Sequence, residues 1–234
     1  MESSMPKCQA TDKNKWRAER RNQLNLPSYS VSEEVMNAIS HGIGALFAVA
    51  ALVVLLLVTP HHAKNIVSVS IYGGTLFLLY TVSTLYHALG VTKAKKVFQI
   101  LDHCTIFLLI AGTYTPITIL CLGGTLGWVM FFLVWVAAIV GITLNAVNMK
   151  RFRVVSMVCY ICMGWAVLFA IKPLVQNLDF TAVVLLIVGG VFYTVGAIIY
   201  GKGRTVKYMH SLWHIFVLAG SIMHFIVIYH IAIK

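Results

Sequence analysis

The stretch His210-Ser-Leu-Trp-His-Ile-Phe-Val-Leu-Ala-Gly-Ser-Ile-Met-His-Phe-Ile-Val-Ile-Tyr-His-Ile-Ala-Ile233 decides the fold of this chain. Its apolar part is long enough to cross about 30 Å of hydrocarbon as a helix. At its head, His210 and His214 lie four residues apart, which places both imidazoles on one face of that helix. Two imidazoles suit zinc, but a site needs at least a third ligand from elsewhere in the chain. The alternative is that both histidines are polar helix-end residues at a membrane surface.

The composition extends this prediction to the whole chain. Of 234 residues, 59% are hydrophobic and 11% are charged, whereas soluble domains carry roughly 25% charged residues. Because the first thirty residues are polar and basic, we expect no signal peptide, and the first helix is its own insertion signal. The fold class is an all-α integral membrane protein, a seven-helix bundle that crosses the cell (inner) membrane several times. The predicted spans are 35–58, 66–89, 98–121, 126–147, 154–171, 181–200 and 208–232.

The basic residues predict the orientation of the bundle. Residues 1–32 are read as a cytoplasmic basic tail and residues 33–234 as the seven-helix transmembrane domain. Fifteen lysines and arginines fall in the tail and in the loops after helices two, four and six, against three on the other side. An excess of Lys and Arg marks the cytoplasmic side, so the amino terminus is predicted inside and the carboxyl terminus outside. This spread of charge indicates topology and attraction to anionic lipid, and we expect no nucleic-acid partner.

Polar residues in four of the predicted helices fall at the cytoplasmic end of the bundle. Ionisable groups at membrane depth are costly, and they point to function. They are Glu34, Asn37 and His41 in the first helix, Ser83 and His87 in the second, Asp102 and His103 in the third, and His210 and His214 in the seventh. Because histidines and carboxylates from separate helices share one level, we predict a zinc site there.

Five ordered motifs resemble the hemolysin III family, which belongs with the progestin and adiponectin receptors and more remotely with the alkaline ceramidases. They are Glu34-x-x-Asn37-x-x-x-His41, Ser83-x-x-x-His87, Leu101-Asp-His-Cys104, Ala111-Gly-Thr-Tyr-Thr-Pro116 and His210-x-x-x-His214. The resemblance, of the bacterial inner-membrane type, implies seven helices with the amino terminus inside. It also implies a zinc ion bound by His87, His210 and His214, with Ser83 and Asp102 near the water on the metal. We expect Glu34, Asn37 and His41 to contact the ligands and not the metal.

Three protein ligands leave a fourth position open on zinc, as in catalytic sites. Asp102 would orient or deprotonate a water there, and Ser83 would hydrogen-bond the water or the substrate. A membrane lipid is the expected partner, and by resemblance to the ceramidases the reaction is hydrolysis of an acyl-lipid amide or ester. Two alternatives stay open: a non-catalytic regulator of membrane lipid or energetics with structural zinc, and a pore-forming cytolysin. A homo-oligomer is also left open.

Overall fold

The computed structural model describes residues 8–202 and 206–234, and in these ranges the chain is helical, without strands. Lys7 and Arg204, two of the basic residues counted for orientation, lie outside the described residues. The helices are α1 Cys8–Leu24, α2 Val31–Val58, α3 Ala63–Ala88, α4 Lys93–Pro116, α5 Gly124–Trp165, α6 Ile171–Asn177, α7 Phe180–Lys202 and α8 Met209–Ala232. A π-helical turn, Ile117–Leu122, extends α4, and a 3-10 turn, Ala166–Ala170, joins α5 to α6.

Six helical segments within the described ranges are long and apolar enough to cross a membrane. They are Val31–Val58, Ala63–Ala88, Lys93–Leu122, Gly124–Asn177, Phe180–Gly201 and Met209–Ala232. Large apolar side chains point outward from these segments, among them Leu57, Phe169 and Phe180, which are 76%, 91% and 84% exposed. Apolar surface on this scale is tolerated where lipid and not water surrounds the helices. The chain is a multi-pass membrane protein.

The segment Gly124–Asn177 is too long for a single straight crossing, and it is broken at Asn148. Its 54 residues would extend about 80 Å as one helix, more than twice the thickness of the hydrocarbon. Asn148 has non-helical backbone angles, φ −158° and ψ 82°, and its Oδ1 accepts from Arg151 N at 3.0 Å, as in a helix N-cap. Ser156 Oγ donates to Asn145 Oδ1 at 2.7 Å, although 11 residues of continuous helix would separate them by about 16 Å. The chain therefore reverses direction at Asn148.

Close approach of the helices depends on small residues. A side chain at Gly112 would overlap Thr75 of α3, and one at Gly141 would overlap the ring of Phe107 in α4. Small residues let membrane helices pack tightly where apolar surface alone gives little driving force in lipid. Successive helices from α2 to α5 pack side by side, α7 packs on α8, and α8 packs on α2. The last contact closes the bundle and brings the start of α8 beside the start of α2.

A polar network crosses the centre of the bundle. The hydroxyl of Tyr80 in α3 donates to Ser221 Oγ in α8 at 2.8 Å, and Tyr193 OH of α7 lies 2.8 Å from the same oxygen. Tyr80, Tyr193 and Ser221 are buried or half-buried. Because an unpaired hydroxyl in the bilayer core is costly, this network fixes the register of α3, α7 and α8.

Part of the predicted tail is helical and packs on the bundle. Leu26 and Tyr29, which follow α1, are 9% and 7% exposed. Arg21 Nη2 donates to the carbonyl oxygen of Tyr29 at 3.0 Å, which holds the end of α1 near this segment. The division of the chain at residue 32 stays a prediction, and within it the tail places apolar side chains against the transmembrane part.

Candidate metal centre

Local sequence places the ligands at the ends of their helices. Ser30 and Glu33 form a capping box that starts α2: Ser30 Oγ accepts from Glu33 N at 3.3 Å, and Glu33 Oε2 accepts from Ser30 N at 2.9 Å. This start sets Glu34 and Asn37 in the first two turns of α2. His87 lies in the last turn of α3, and His210 and His214 lie in the first turns of α8. Since α3 runs opposite to α2 and α8, all these side chains meet at one end of the bundle.

His87, His210 and His214 form a cluster in which one nitrogen of each ring lies within 4.8 Å of the others. His210 Nε2 is 3.2 Å from His87 Nε2 and 3.2 Å from His214 Nε2. Two nitrogens bound to one tetrahedral zinc at 2.0–2.1 Å would lie about 3.3 Å apart. All three rings are buried, with at most 4% of any residue exposed. The cluster has the dimensions of a metal site.

The hydrogen-bond acceptors beside His87 and His214 determine which ring nitrogen carries the proton. His87 Nδ1 is 2.7 Å from Glu34 Oε2, and a carboxylate can only accept, so His87 carries its proton on Nδ1. His214 Nδ1 is 3.2 Å from the carbonyl oxygen of Asn37, so it also carries its proton on Nδ1. With the single proton of each neutral imidazole on Nδ1, the lone pair is on Nε2, the nitrogen that faces the cluster.

His210 completes the case that the cluster fits a cation. Its Nε2 faces two nitrogens that already present lone pairs, and a single N–H can donate to only one of them. Its Nδ1 is buried and has no hydrogen-bond partner among the described residues. Converging lone pairs repel one another unless a cation lies between them, so three imidazoles in this arrangement suit zinc.

A partly buried ion pair supports His87. The two carboxylate oxygens of Glu34 have different partners. Oε2 faces His87, and Oε1 lies 2.9 Å from Lys95 Nζ. Lys95 is 3% exposed, and its ammonium also donates to the carbonyl oxygens of Tyr86 and Leu89 at 3.0 Å each. Lys95 thus holds Glu34, and Glu34 holds His87 in the orientation that ligation requires.

Asn37 links α2 to α8 through its side chain and backbone. Its Oδ1 accepts from Ser211 Oγ at 2.6 Å, whereas its Nδ2 lies 3.4 Å from His87 Nδ1 without a hydrogen bond, because both of these nitrogens carry hydrogens. Ser40, one turn further along α2, places its hydroxyl 3.1 Å from His214 Nδ1. Asn37 and Ser40 therefore orient the His214 ring on α8, while Glu34 orients the His87 ring on α3.

His41 and Ser83 are buried polar residues beside the cluster. The ring of His41 stacks on His214, with centroids 3.5 Å apart and planes 12° from parallel, and neither of its nitrogens has a partner among the described residues. Ser83 lies one turn before His87 on α3, is 1% exposed, and its hydroxyl is likewise without a described partner. A buried hydroxyl without a partner is costly, and a ligand or water would remove that cost.

Asp102 lies in α4, outside direct contact with the three rings. Its Oδ2 is 3.7 Å from His103 Nδ1. Among the described contacts, neither Asp102 nor Ser83 bonds to His87, His210 or His214. Asp102 and His210 nevertheless line one small cavity of about 40 Å³. That volume holds a water molecule, so the carboxylate shares space with one ligand.

The remaining histidines do not join the cluster. His61 and His62 are exposed in the loop before α3. His224 Nε2 lies 3.1 Å from the carbonyl oxygen of Leu186, inside the bundle, and His230 Nδ1 lies 2.8 Å from Asp179 Oδ2 at the far end of α8. These four histidines therefore lie apart from the cluster.

Four residues of the site were not singled out from the sequence. Ser40 and Ser211 each adjoin a residue of a motif, so their position was the available signal. Lys95 was counted only as a loop charge. Tyr29 was assigned to the tail, yet its ring stacks on His210 with centroids 4.9 Å apart. Nothing in the spacing of these last two residues indicates a contact with the site.

Comparisons with known proteins agree with the motifs. A family model described as "Haemolysin-III related" matches residues 29–225. The chain is 45% identical to "Hemolysin-3" of Bacillus cereus over 197 residues, which cover 83% of this chain and 90% of that protein. It is 40% identical to a "Hemolysin-3 homolog" of Bacillus subtilis (strain 168) over 208 residues, covering 88% and 97%. It is 26% identical to the human "Monocyte to macrophage differentiation factor" over 164 residues, covering 68% of each chain.

Proposed function

The chain belongs to the haemolysin III-related family of membrane proteins, and on that premise we propose that it is a zinc-dependent hydrolase of an acyl lipid. His87, His210 and His214 would hold the zinc. The observation that carries the proposal is the convergence of their three Nε2 atoms, with two lone pairs fixed by Glu34 and Asn37. Zinc with three protein ligands supplies a Lewis acid and a water nucleophile near neutral pH.

The chain's own residues have separate parts in this reaction. Asp102 accepts the proton of the attacking water and returns it to the leaving amine or alcohol, because its carboxylate lines the small cavity beside His210. Ser83 donates a hydrogen bond to the water or to the acyl carbonyl, which gives its buried hydroxyl a partner. Glu34, Asn37 and His41 hold the rings in place. The products are a fatty acid and the remainder of the lipid.

An apolar cavity supports an acyl lipid as substrate. A space of about 110 Å³ in the middle of the bundle is lined mainly by aliphatic and aromatic side chains of α4, α5, α7 and α8. Ile106, Tyr160, Ala197 and Trp213 border both this space and the small cavity beside Asp102. An acyl chain in the apolar space would therefore bring its carbonyl group toward the histidines.

We further propose seven crossings of the cell (inner) membrane, with the amino terminus in the cytoplasm. The reversal at Asn148 supports two crossings within Gly124–Asn177. The fifteen-to-three distribution of basic residues supports the orientation. The metal centre then lies near the cytoplasmic surface.

The structural-zinc alternative has its own support, because the site joins α2, α3 and α8 and a bound metal would pin them together. The cytolysin alternative, suggested by the names of the Bacillus relatives, has less support. A pore through a single copy of the chain would need a water-filled bundle centre. That centre is instead filled by side chains, among them the fully buried Tyr72, Leu76 and Tyr80.

Asp102→Asn separates the hydrolase from the structural metal. We expect this variant to stay folded and zinc-loaded and to lose at least about 100-fold of its fatty-acid release, because an amide cannot accept the proton. Ser83→Ala should lose less, since its hydroxyl only donates a hydrogen bond. Zinc content, thermal stability and fatty-acid release from ceramide-like and phospholipid substrates are measured on the same preparations.

Asp179→Asn is the matched control, because Asp179 is an exposed acid at the opposite end of the bundle, and it should retain full release. Zinc-loaded unmutated protein that releases fatty acid from no member of the panel would contradict the hydrolase. Loss of zinc from Asp102→Asn would favour the structural alternative.

A further inference from the structure

A large cavity with a strongly basic wall opens at the end of the bundle that holds the metal centre. Its volume is about 740 Å³, within the range of about 300–1,000 Å³ found for ligand sites. We call it the basic vestibule, and its wall includes five cationic side chains. They are Arg21, Lys96, Lys150, Arg153 and Lys207.

Among the lining residues that the structure describes, cationic side chains of the basic vestibule outnumber carboxylates. Glu33 is the one carboxylate among the described lining residues. Its Oε2 accepts from Ser30 Oγ at 2.7 Å, and its Oε1 accepts from Tyr208 N at 2.9 Å, so a single negative charge faces the five positive ones. Cations in excess around one space attract an anion.

The cations come from four separate parts of the chain that the fold brings together. Arg21 belongs to α1 and Lys96 to α4. Lys150 and Arg153 belong to the part of α5 after the break at Asn148, and Lys207 belongs to the segment before α8. Arg153 is half-buried, with its Cζ 5.7 Å from the ring centre of Tyr200. A guanidinium held over an aromatic ring keeps its donors available in a fixed direction. These cations converge on one cavity from separate segments, whereas solvated charges along a single loop would point in different directions into water.

The basic vestibule shares part of its wall with the rest of the site. His210, Arg153 and Tyr200 border both the basic vestibule and the small cavity beside Asp102. The small cavity in turn shares walls with the apolar space in mid-bundle. From the surface inward, the order is therefore a cationic space, the histidine cluster and an apolar space. A phospholipid has the same order: phosphate, ester carbonyl and acyl chain.

We propose that the basic vestibule binds a phosphate-ester group, and that the acyl lipid of the proposed reaction carries it. Lys and Arg suit the charge and the oxygens of phosphate, and basic pockets at the cytoplasmic ends of membrane helices are suited to anionic headgroups. The inference rests on the proposed function for what happens to the lipid, and on the charge of the basic vestibule for its binding.

Two pairs of basic residues allow a matched test. Lys96 and Arg153 line the basic vestibule, whereas Lys93 and Arg151 lie on the same two segments, are exposed and are not part of its wall. The test variant is Lys96→Gln with Arg153→Gln, and the control is Lys93→Gln with Arg151→Gln. Both remove two charges from the same end of the molecule. Affinity is measured with full-length protein in uncharged maltoside micelles.

The probes are short-chain phosphatidic acid, glycerol phosphate and inorganic phosphate. We expect the test variant to lose roughly 10-fold affinity or more for phosphatidic acid, because each lost contact is a hydrogen bond to a charged group. The control should change less than about 2-fold, since exposed charges contribute little. Binding should also weaken as salt is raised. Preference for phosphatidic acid places the phosphate on a lipid, whereas equal binding of glycerol phosphate places it on a soluble ester.

The proposal is overturned if the unmutated protein binds none of the three probes, or if the test and control variants lose affinity equally. His87→Ala separates this result from the proposed function, because His87 does not line the basic vestibule. This variant should lose zinc and keep phosphate binding. If fatty-acid release is absent while the two paired variants still differ, the hydrolase fails and the phosphate site stands.

Discussion

At the residue scale, the metal centre depends on which nitrogen of each ring holds the proton. The sequence could predict which three histidines come together, because His210 and His214 have helical ligand spacing and a resemblance supplied His87. It could not predict the proton positions, which follow from Glu34 and the carbonyl oxygen of Asn37. The role of Lys95 could not be predicted either. Its burial requires α4 to pack against the end of α3, whereas the sequence Lys-Ala-Lys-Lys at 93–96 indicates only a basic loop.

Lys95→Met tests this support for His87. Loss of the ammonium leaves Glu34 without its buried partner, and since the carboxylate is partly exposed and keeps His87, we expect destabilisation of about 1–3 kcal/mol. We also expect zinc affinity to fall by about 10- to 100-fold, since Glu34 then holds His87 less firmly. Lys93→Met, an exposed change on the same helix, should alter neither quantity. Adding Glu34→Gln to Lys95→Met should recover part of the stability, and a strictly additive loss would contradict a direct ion pair.

At the element scale, apolar runs predict the helices well because lipid requires about twenty apolar residues for each crossing. The predicted spans 126–147 and 154–171 fall on either side of the break at Asn148. The π-helical turn after Pro116 was not predicted, since apolar residues continue through it. The helix of the tail was missed as well, because polar residues give no periodic apolar pattern.

Reporter fusions decide whether the segment Gly124–Asn177 crosses once or twice. With a reversal at Asn148, fusions after residues 124 and 177 should both read external, and a fusion after 152 should read cytoplasmic. Fusions after 62 and 234 should also read external, and those after 95 and 205 cytoplasmic. If the fusions after 124 and 177 read on opposite sides, the segment crosses once, and the seven-crossing proposal is wrong.

At the scale of the whole molecule, the sequence predicts that the polar residues lie at the same depth in the membrane. That prediction used only the alternating direction of successive helices. Alternating crossings place the starts of α2, α4 and α8 at the same end as the end of α3. Depth along the axis could be argued from the sequence in this way, but lateral proximity could not. The contact of α8 with α2, which closes the bundle, brings His214 to Asn37 and His210 to His87. The cavities also arise only at this scale, because each is lined by several helices.

The central claim is that His87, His210 and His214 together bind one metal ion, and zinc content of the purified protein tests it most directly. The unmutated protein should hold about one zinc per chain, and His210→Ala should hold almost none, because two remaining ligands do not make a site. His230→Ala is the control: it removes the same side chain from the same helix at its far end, where His230 contacts Asp179. Full zinc in His230→Ala and none in His210→Ala is the predicted result, whereas zinc retained by His210→Ala would contradict the three-histidine site.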